Sequence, residues 1–176
     1  MKRYLLAIAL LIIVNTAFAQ VESNVSKSAI TFEIKNLGIK TGGKLGGLQA
    51  NIKFDPANLA ASNIDATVDA TTINTDNNLR DEHLRGEDYF NTAVFPKIIM
   101  SSVGFKQKGS NYVGQFNLTI KGKTKQVDVP FSYTPNGNTS TFKGSFKIKR
   151  ADFGIGGNSL TMGDEATVLV TAEVTK

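Results

Sequence analysis

From Ile30 onward the chain alternates apolar and polar residues with a period of two over most of its length. Ile30, Phe32 and Ile34 alternate with Thr31, Glu33 and Lys35, and the period returns with Leu48, Ala50, Ile52 and Phe54. Ile64, Ala66, Val68 and Ala70 make a third run after the Asp55-Pro56 break. Such runs are the signature of strands with one buried face. The next candidate, from Ile98 to Phe105, is apolar on both faces and has no clear phase. Tyr112, Gly114, Phe116, Leu118 and Ile120 form a fifth run; Val127, Val129, Phe131 and Tyr133 form a sixth. In the sixth, Pro130 lacks a backbone donor and predicts a bulge or an open edge. Phe142, Phe146 and Ile148 give a seventh, and Ala166, Val168, Val170, Ala172 and Val174 an eighth.

Turn residues separate most of these runs, with Lys121-Gly122-Lys123 and Pro135-Asn136-Gly137-Asn138 placed as hairpin connections. Eight amphipathic strands in sequential hairpins predict an all-β protein. Closure into an antiparallel barrel removes the sheet edges and is favoured over a sandwich. An eight-stranded barrel is either filled by its side chains or just wide enough for one small ligand. Ala50, Ala66, Ala70, Gly114, Gly144, Ala166 and Ala172 sit on the inward rows. Small residues there fit the taper of a solid core or leave an apolar lumen, and alternation alone leaves both readings open.

One segment breaks the pattern. Asn78 to Pro96 carries the chain's only histidine, His83, with Arg80, Arg85, Asp81, Glu82, Glu87 and Asp88. Asn78 is placed to cap a short helix, Asp81 to complete a weak capping box, and Gly86 to end it. A helix of about two turns needs packing to persist, which Leu84, Tyr89, Phe90 and Phe95 can supply. As chemistry, His83 offers a base, Asp81 or Glu82 its orienter, and Arg80 or Arg85 an anion clamp. No Gly-x-Ser-x-Gly elbow exists to supply a nucleophile. One histidine without cysteine matches neither a zinc motif nor a calcium loop. The segment therefore reads first as a structural latch or gate, then as a polar contact to a ligand headgroup, and last as a catalytic site. No catalytic residue, metal or cofactor is assigned.

The ends and the charge narrow the setting. Lys2 and Arg3 precede an apolar run from Leu5 to Val14 and then Ala17-Phe18-Ala19, the layout of a cleavable secretory leader. The expectation is a leader over 1–19, cleaved after Ala19, and one domain over 20–176 in the periplasm. The leader's apolar run is too short to span a bilayer, and no other segment approaches the roughly 20 apolar residues that spanning requires. The chain has no cysteine, which excludes an acyl-anchored lipoprotein, disulfides and thiolate metal sites. Taking Lys2 and Arg3 from 20 basic groups leaves 18 against 15 acidic ones, a net charge of +3. That excess is too small to imply nucleic acid.

Two motifs mislead. Gly38 to Lys44 has the spacing of a phosphate-binding loop but is followed by Leu45, so it reads as a flexible strand connection. Asn117-Leu118-Thr119 is a formal glycosylation sequon in mid-strand. The lysines of the seventh run form a solvated face.

Arg80-Asp-Glu-His-Leu-Arg85 is followed by Asp88-Tyr89-Phe90 and Phe95-Pro96, then by Leu118-Thr-Ile-Lys-Gly122 and Arg150-Ala-Asp-Phe-Gly-Ile155. In this order the three stretches resemble the YceI-like family of polyisoprenoid-binding proteins, over about Ser28 to Val174. Gly86 stands where the family often has serine, and Tyr89 and Asn91 replace commoner phenylalanine and aspartate. Lys27 and Asn36 lie near positions where many members carry histidine. The resemblance implies an extended, lipocalin-like antiparallel barrel with the helical insert near its mouth. It also implies a lumen for a long-chain isoprenoid, quinone-like or other amphiphilic lipid, and it is compatible with a homodimer.

On that basis the expected lumen residues are Phe32, Ile34, Ile64, Val68, Phe116, Leu118, Phe131, Phe142, Phe146 and Val168. Arg80, Asp81, His83, Arg85, Asp88, Arg150 and Asp152 are expected at the mouth, as headgroup contacts or as a latch. Two alternatives remain: a small exported enzyme using His83 as acid or base, and a stress-related interaction module.

Overall fold

The computed structural model describes residues 24–159 and 161–175; the expected leader and its cleavage site lie outside them. Eight strands form one closed antiparallel barrel: β1 (Asn24–Asn36), β2 (Ile39–Lys53), β3 (Asn63–Asn74), β4 (Lys97–Lys108), β5 (Asn111–Ile120), β6 (Lys123–Asn136), β7 (Thr139–Lys149) and β8 (Met162–Thr175). Each pairs with its chain neighbours, and β8 returns to β1 with Phe32 opposite Val168. One helix, α1 (Asn78–Arg85), interrupts the sequence of strands between β3 and β4. The all-β barrel with a short helical insert is the architecture the alternation predicts.

Local chemistry sets the connections. Leu37-Gly38, with φ of 51° and 78°, and Lys121-Gly122, with 50° and 72°, close the β1–β2 and β5–β6 hairpins. Two positive φ values in a two-residue loop match the right-handed twist of the flanking strands. The flexible connection expected over Gly38 to Lys44 is instead strand from Ile39 onward. Its glycines serve close approach: a Cβ on Gly43 would lie 2.6 Å from the Phe32 ring and 2.8 Å from the Asn74 carbonyl oxygen. Helix α1 is capped by Asn77, one residue before the expected Asn78; its side chain accepts from the Arg80 amide. Asp81 is buried and bonds Thr75 rather than forming a capping box. Gly86 ends the helix in an extended conformation, with its amide donating to Glu82 and His83.

Two irregularities decide what faces inward. Strand β4 carries a bulge between Ser102 and Gly104, and a bulge inserts one residue and reverses the alternation beyond it. Ile98 and Met100 thus pack inward before the bulge and Phe105 after it, while Ile99 and Val103 are exposed. This is why the segment looks apolar on both faces. Near Pro130 the ladder changes hands: β6 pairs with β5 from Lys123 to Phe131 and with β7 from Phe131 to Asn136. The edge expected at Pro130 is therefore a local seam within a closed barrel. The short 3-10 turn Arg150–Phe153 lies against β6, β7 and β8, and Phe153 joins Val129 and Phe146 in one buried cluster.

Along its axis the interior divides in two. In one half Phe54 is surrounded by Phe105, Tyr112, Phe131, Tyr133 and Phe142 at ring-centroid distances of 5.1 to 5.6 Å. Aromatic pairs at such distances, mostly edge to face, add to the burial of the rings themselves. Small inward residues here make room for rings: a Cβ on Gly114 would collide with Phe116, and one on Gly144 would lie 3.1 Å from Val129. The other half, next to α1, is hollow. Both readings of the small inward residues hold, each in its own half.

Candidate functional site

The hollow half is a cavity of about 490 Å³, within the roughly 300–1,000 Å³ typical of small-molecule sites. Each contributing strand is split between the two halves. On β5, Leu118 and Ile120 line the cavity while Tyr112 and Phe116 lie beyond it; on β7, Phe146 and Ile148 line it while Phe142 does not. Of the ten expected lumen residues, Phe32, Ile34, Val68, Leu118, Phe146 and Val168 line the cavity. Ile64, Phe116, Phe131 and Phe142 do not. Phe131 and Phe142 belong to the aromatic half, and Phe116 and Ile64 lie at the junction between the halves. Period-two alternation separates inside from outside but carries no information on depth along the axis. Leu45, Ile98, Met100 and Ala166 were not among the expected residues and also form the wall. Small Ala66 and Ala166 are the inward alanines that do widen it.

The cavity wall reaches exposed Asn77, Leu79 and His83 at helix α1, which marks that end as its mouth. The arginines there are structural. Arg85 donates from Nε to the Thr71 carbonyl at 2.9 Å and from Nη2 to that of Ile73 at 2.8 Å. Arg80 donates to the Thr75 hydroxyl at 2.7 Å and to the Thr75 carbonyl at 2.6 Å. Asp81 accepts from the Thr75 amide and hydroxyl. The Thr75 hydroxyl bond holds the Asp81 carboxyl below its ordinary value, against the opposing effect of burial. The Thr75 amide, Arg85 and Arg80 lower it further. Together these contacts fasten α1 to the end of β3.

A second fastening comes from the C-terminal motif. Arg150, 3% exposed, donates to the carbonyls of Ile155, Gly157 and Gly163 at 3.0, 2.6 and 3.0 Å. It thereby organises the loop ahead of β8, and it also lines the cavity. Gly154 closes the turn in the left-handed region, with φ of 67°. Lys121 bridges the two fastenings by donating to the carbonyls of Glu87 and Gly154 at 2.7 and 3.1 Å. Thr75 and Lys121 were missed as mouth residues. Nothing in the sequence marks Thr75, whereas Lys121 lies in one of the three family-like stretches. Among the described residues, Asp88 takes part only through its backbone, its carbonyl accepting from Gly156 at 2.8 Å, and the exposed Asp152 side chain makes no hydrogen bond. His83 lines the cavity, and its ring makes no hydrogen bond among the described residues. Leu84, Tyr89 and Phe90, which pack the insert, also face the cavity. Among the described residues, no three histidine or carboxylate side chains come together as a metal site would require.

The comparisons with known proteins agree with this geometry. Residues 22–174 match the YceI-like domain. This chain belongs to the YceI-like family. A relative by sequence is a UPF0312 protein of Yersinia pestis (strain Pestoides F), 32% identical over 133 residues, or 72% of this chain and 69% of that protein. A UPF0312 protein of Photorhabdus laumondii is 30% identical over 151 residues, covering 82% and 79% respectively. Among solved YceI-like folds, Burkholderia cenocepacia BcnA superposes with a TM-score of 0.82 at 28% identity, covering 88% of this chain and all of that one. A Saccharophagus degradans domain described as polyisoprenoid binding has a TM-score of 0.64 at 13% identity, covering 88% of this chain and 97% of that one. At that identity the likeness is one of fold.

Proposed function

We propose that this YceI-like protein binds a long-chain isoprenoid, quinone-like or related amphiphilic lipid and acts as a carrier or reservoir without catalysis. The tail lies in the apolar half of the barrel, and the headgroup lies at the mouth between α1 and the β1–β2 hairpin. The observation that carries this reading is the cavity of about 490 Å³ walled by aliphatic and aromatic side chains from seven strands. Each methylene withdrawn from water contributes about 0.8 kcal/mol, so a tail is held without strong polar contacts. The polyisoprenoid-binding description of the S. degradans domain, which shares the fold, supports the same ligand class.

An acid–base role for His83 has less support: of its two expected orienters, Asp81 is engaged by Thr75, and among the described residues Glu82 makes no side-chain hydrogen bond to the ring. Export is part of the proposal, with residues 1–19 as the leader, Gln20 as the first mature residue and the periplasm as the destination.

Native mass spectrometry of the protein purified from a periplasmic extract tests both parts. The expected result is a mature mass beginning at Gln20, together with a second species heavier by one lipid that organic extraction removes. A protein that carries no lipid and takes up none from prenyl alcohols or quinones would refute the carrier reading.

A further inference from the structure

Just beyond the deepest wall residues of the hollow half lies a layer of rings. On β5 the wall passes from Leu118, which lines the cavity, to Phe116, which does not. The Phe116 ring meets that of Phe105 at 5.8 Å, and Phe105 meets Phe54, the centre of the aromatic half, at 5.5 Å. Phe105 is inward only because the bulge between Ser102 and Gly104 reverses the alternation of β4. Were the alternation of β4 to run unbroken through Val103, Gly104 would take the inward position and the floor would lose a ring.

We infer that Phe105 and Phe116, backed by Phe54, form a floor that sets how much of a tail the lumen accepts, and that the β4 bulge is the device that builds it. The inference rests on the carrier reading above and specifies its ligand class by length. On β1 the cavity wall runs from Ile30 to Asn36. Six residue steps of about 3.3 Å along a strand tilted by about 40° give a depth of about 15 Å. Tail within that depth is withdrawn from water, and each added methylene raises affinity about fourfold. Tail beyond it stays in water or folds back and adds little. Affinity therefore rises with chain length and then levels.

The test is a series of dissociation constants for geraniol, farnesol, geranylgeraniol and solanesol with the wild type, Phe105→Ala and Ala66→Phe. Ala66 lines the deep part of the cavity and pairs with Met100, so a ring there raises the floor. In the wild type, affinity levels before solanesol. Phe105→Ala moves the levelling point to a longer alcohol, and Ala66→Phe moves it to a shorter one, with about a tenfold or greater loss for alcohols that overrun the shortened lumen. Cooperative melting qualifies each variant, and Ala66→Phe alone decides if Phe105→Ala does not fold. Affinity that climbs through solanesol without levelling, or levels at the same alcohol in every folded variant, overturns the floor and leaves the carrier reading standing. A wild type that binds none of the four overturns both.

Discussion

Replacing Arg150 with alanine removes one side chain and five hydrogen bonds. Three of these are 3.0 Å or shorter, to Ile155, Gly157 and Gly163; those to Gly156 and Met162 are 3.3 and 3.4 Å. The accompanying ion pair to Asp164, 3.6 Å long, involves a carboxylate that is 85% exposed, and such pairs contribute little. The shorter bonds decide the magnitude. A hydrogen bond to a charged group contributes about 1.5–3 kcal/mol, and the low end applies where the loop carbonyls can turn towards water. Arg150→Ala is thus expected to cost about 4 kcal/mol. For a domain of this size that lowers the melting midpoint by about 10 °C. Arg150→Lys keeps the charge but not the planar fork of donors, so it recovers less than half of the loss. Arg150→Met keeps the packing of the stem and separates that contribution. Thermal unfolding followed by circular dichroism measures all three. If Arg150→Ala melts within about 2 °C of the wild type, the loop before β8 is not held by these bonds, and the account of the mouth as two fastened segments is wrong.

Three further outcomes follow from named contacts. Because the folded-state pKa of Asp81 is lowered, its contribution is complete above the ordinary carboxylate value of 3.8 and is lost as pH falls through the lower folded value. Melting midpoints taken on acidification should fall more steeply in the wild type than in Asp81→Asn, and parallel curves would contradict this. Gly43→Ala forces a Cβ against the Asn74 carbonyl and the Phe32 ring and should cost about 1–3 kcal/mol in denaturant unfolding; an unchanged midpoint would mean that β2 can move away. His83→Ala removes an exposed ring that makes no hydrogen bond among the described residues and should change stability by no more than about 0.5 kcal/mol, with lipid still co-purifying. A larger loss would reveal an interaction of His83 that the static contacts do not contain.

The parts of the fold visible in the sequence are those that repeat. Strands such as β5 and β8 alternate cleanly because one face is wet along their whole length, and the charged helix stands out because it breaks that period. Strand β4 could not be phased, since its bulge joins two half-strands of opposite phase within one apolar run. The Gly38 to Lys44 stretch looked flexible because glycine that permits close approach and glycine that permits bending are the same residue. Phe142 and Phe146 look equivalent in the sequence, yet one belongs to the aromatic half and the other to the cavity. Their difference is one of height in the barrel, fixed by how the strands stagger. Arg150 was readable as a motif residue, but its acceptors are main-chain carbonyls, which no side chain advertises.

The seam at Pro130 bears on how the wall responds to load. Beside the aromatic half β6 is laced to β7 by main-chain pairing from Phe131 to Asn136. Beside the hollow half that lacing stops, and the gap between β6 and β7 is clasped by Phe153 and its turn. A guest wider than the resting bore can therefore be admitted by spreading side-chain contacts at this clasp, with the β6–β7 ladder bonds left in place. Girth in this barrel has give where side chains, not main chain, close the wall.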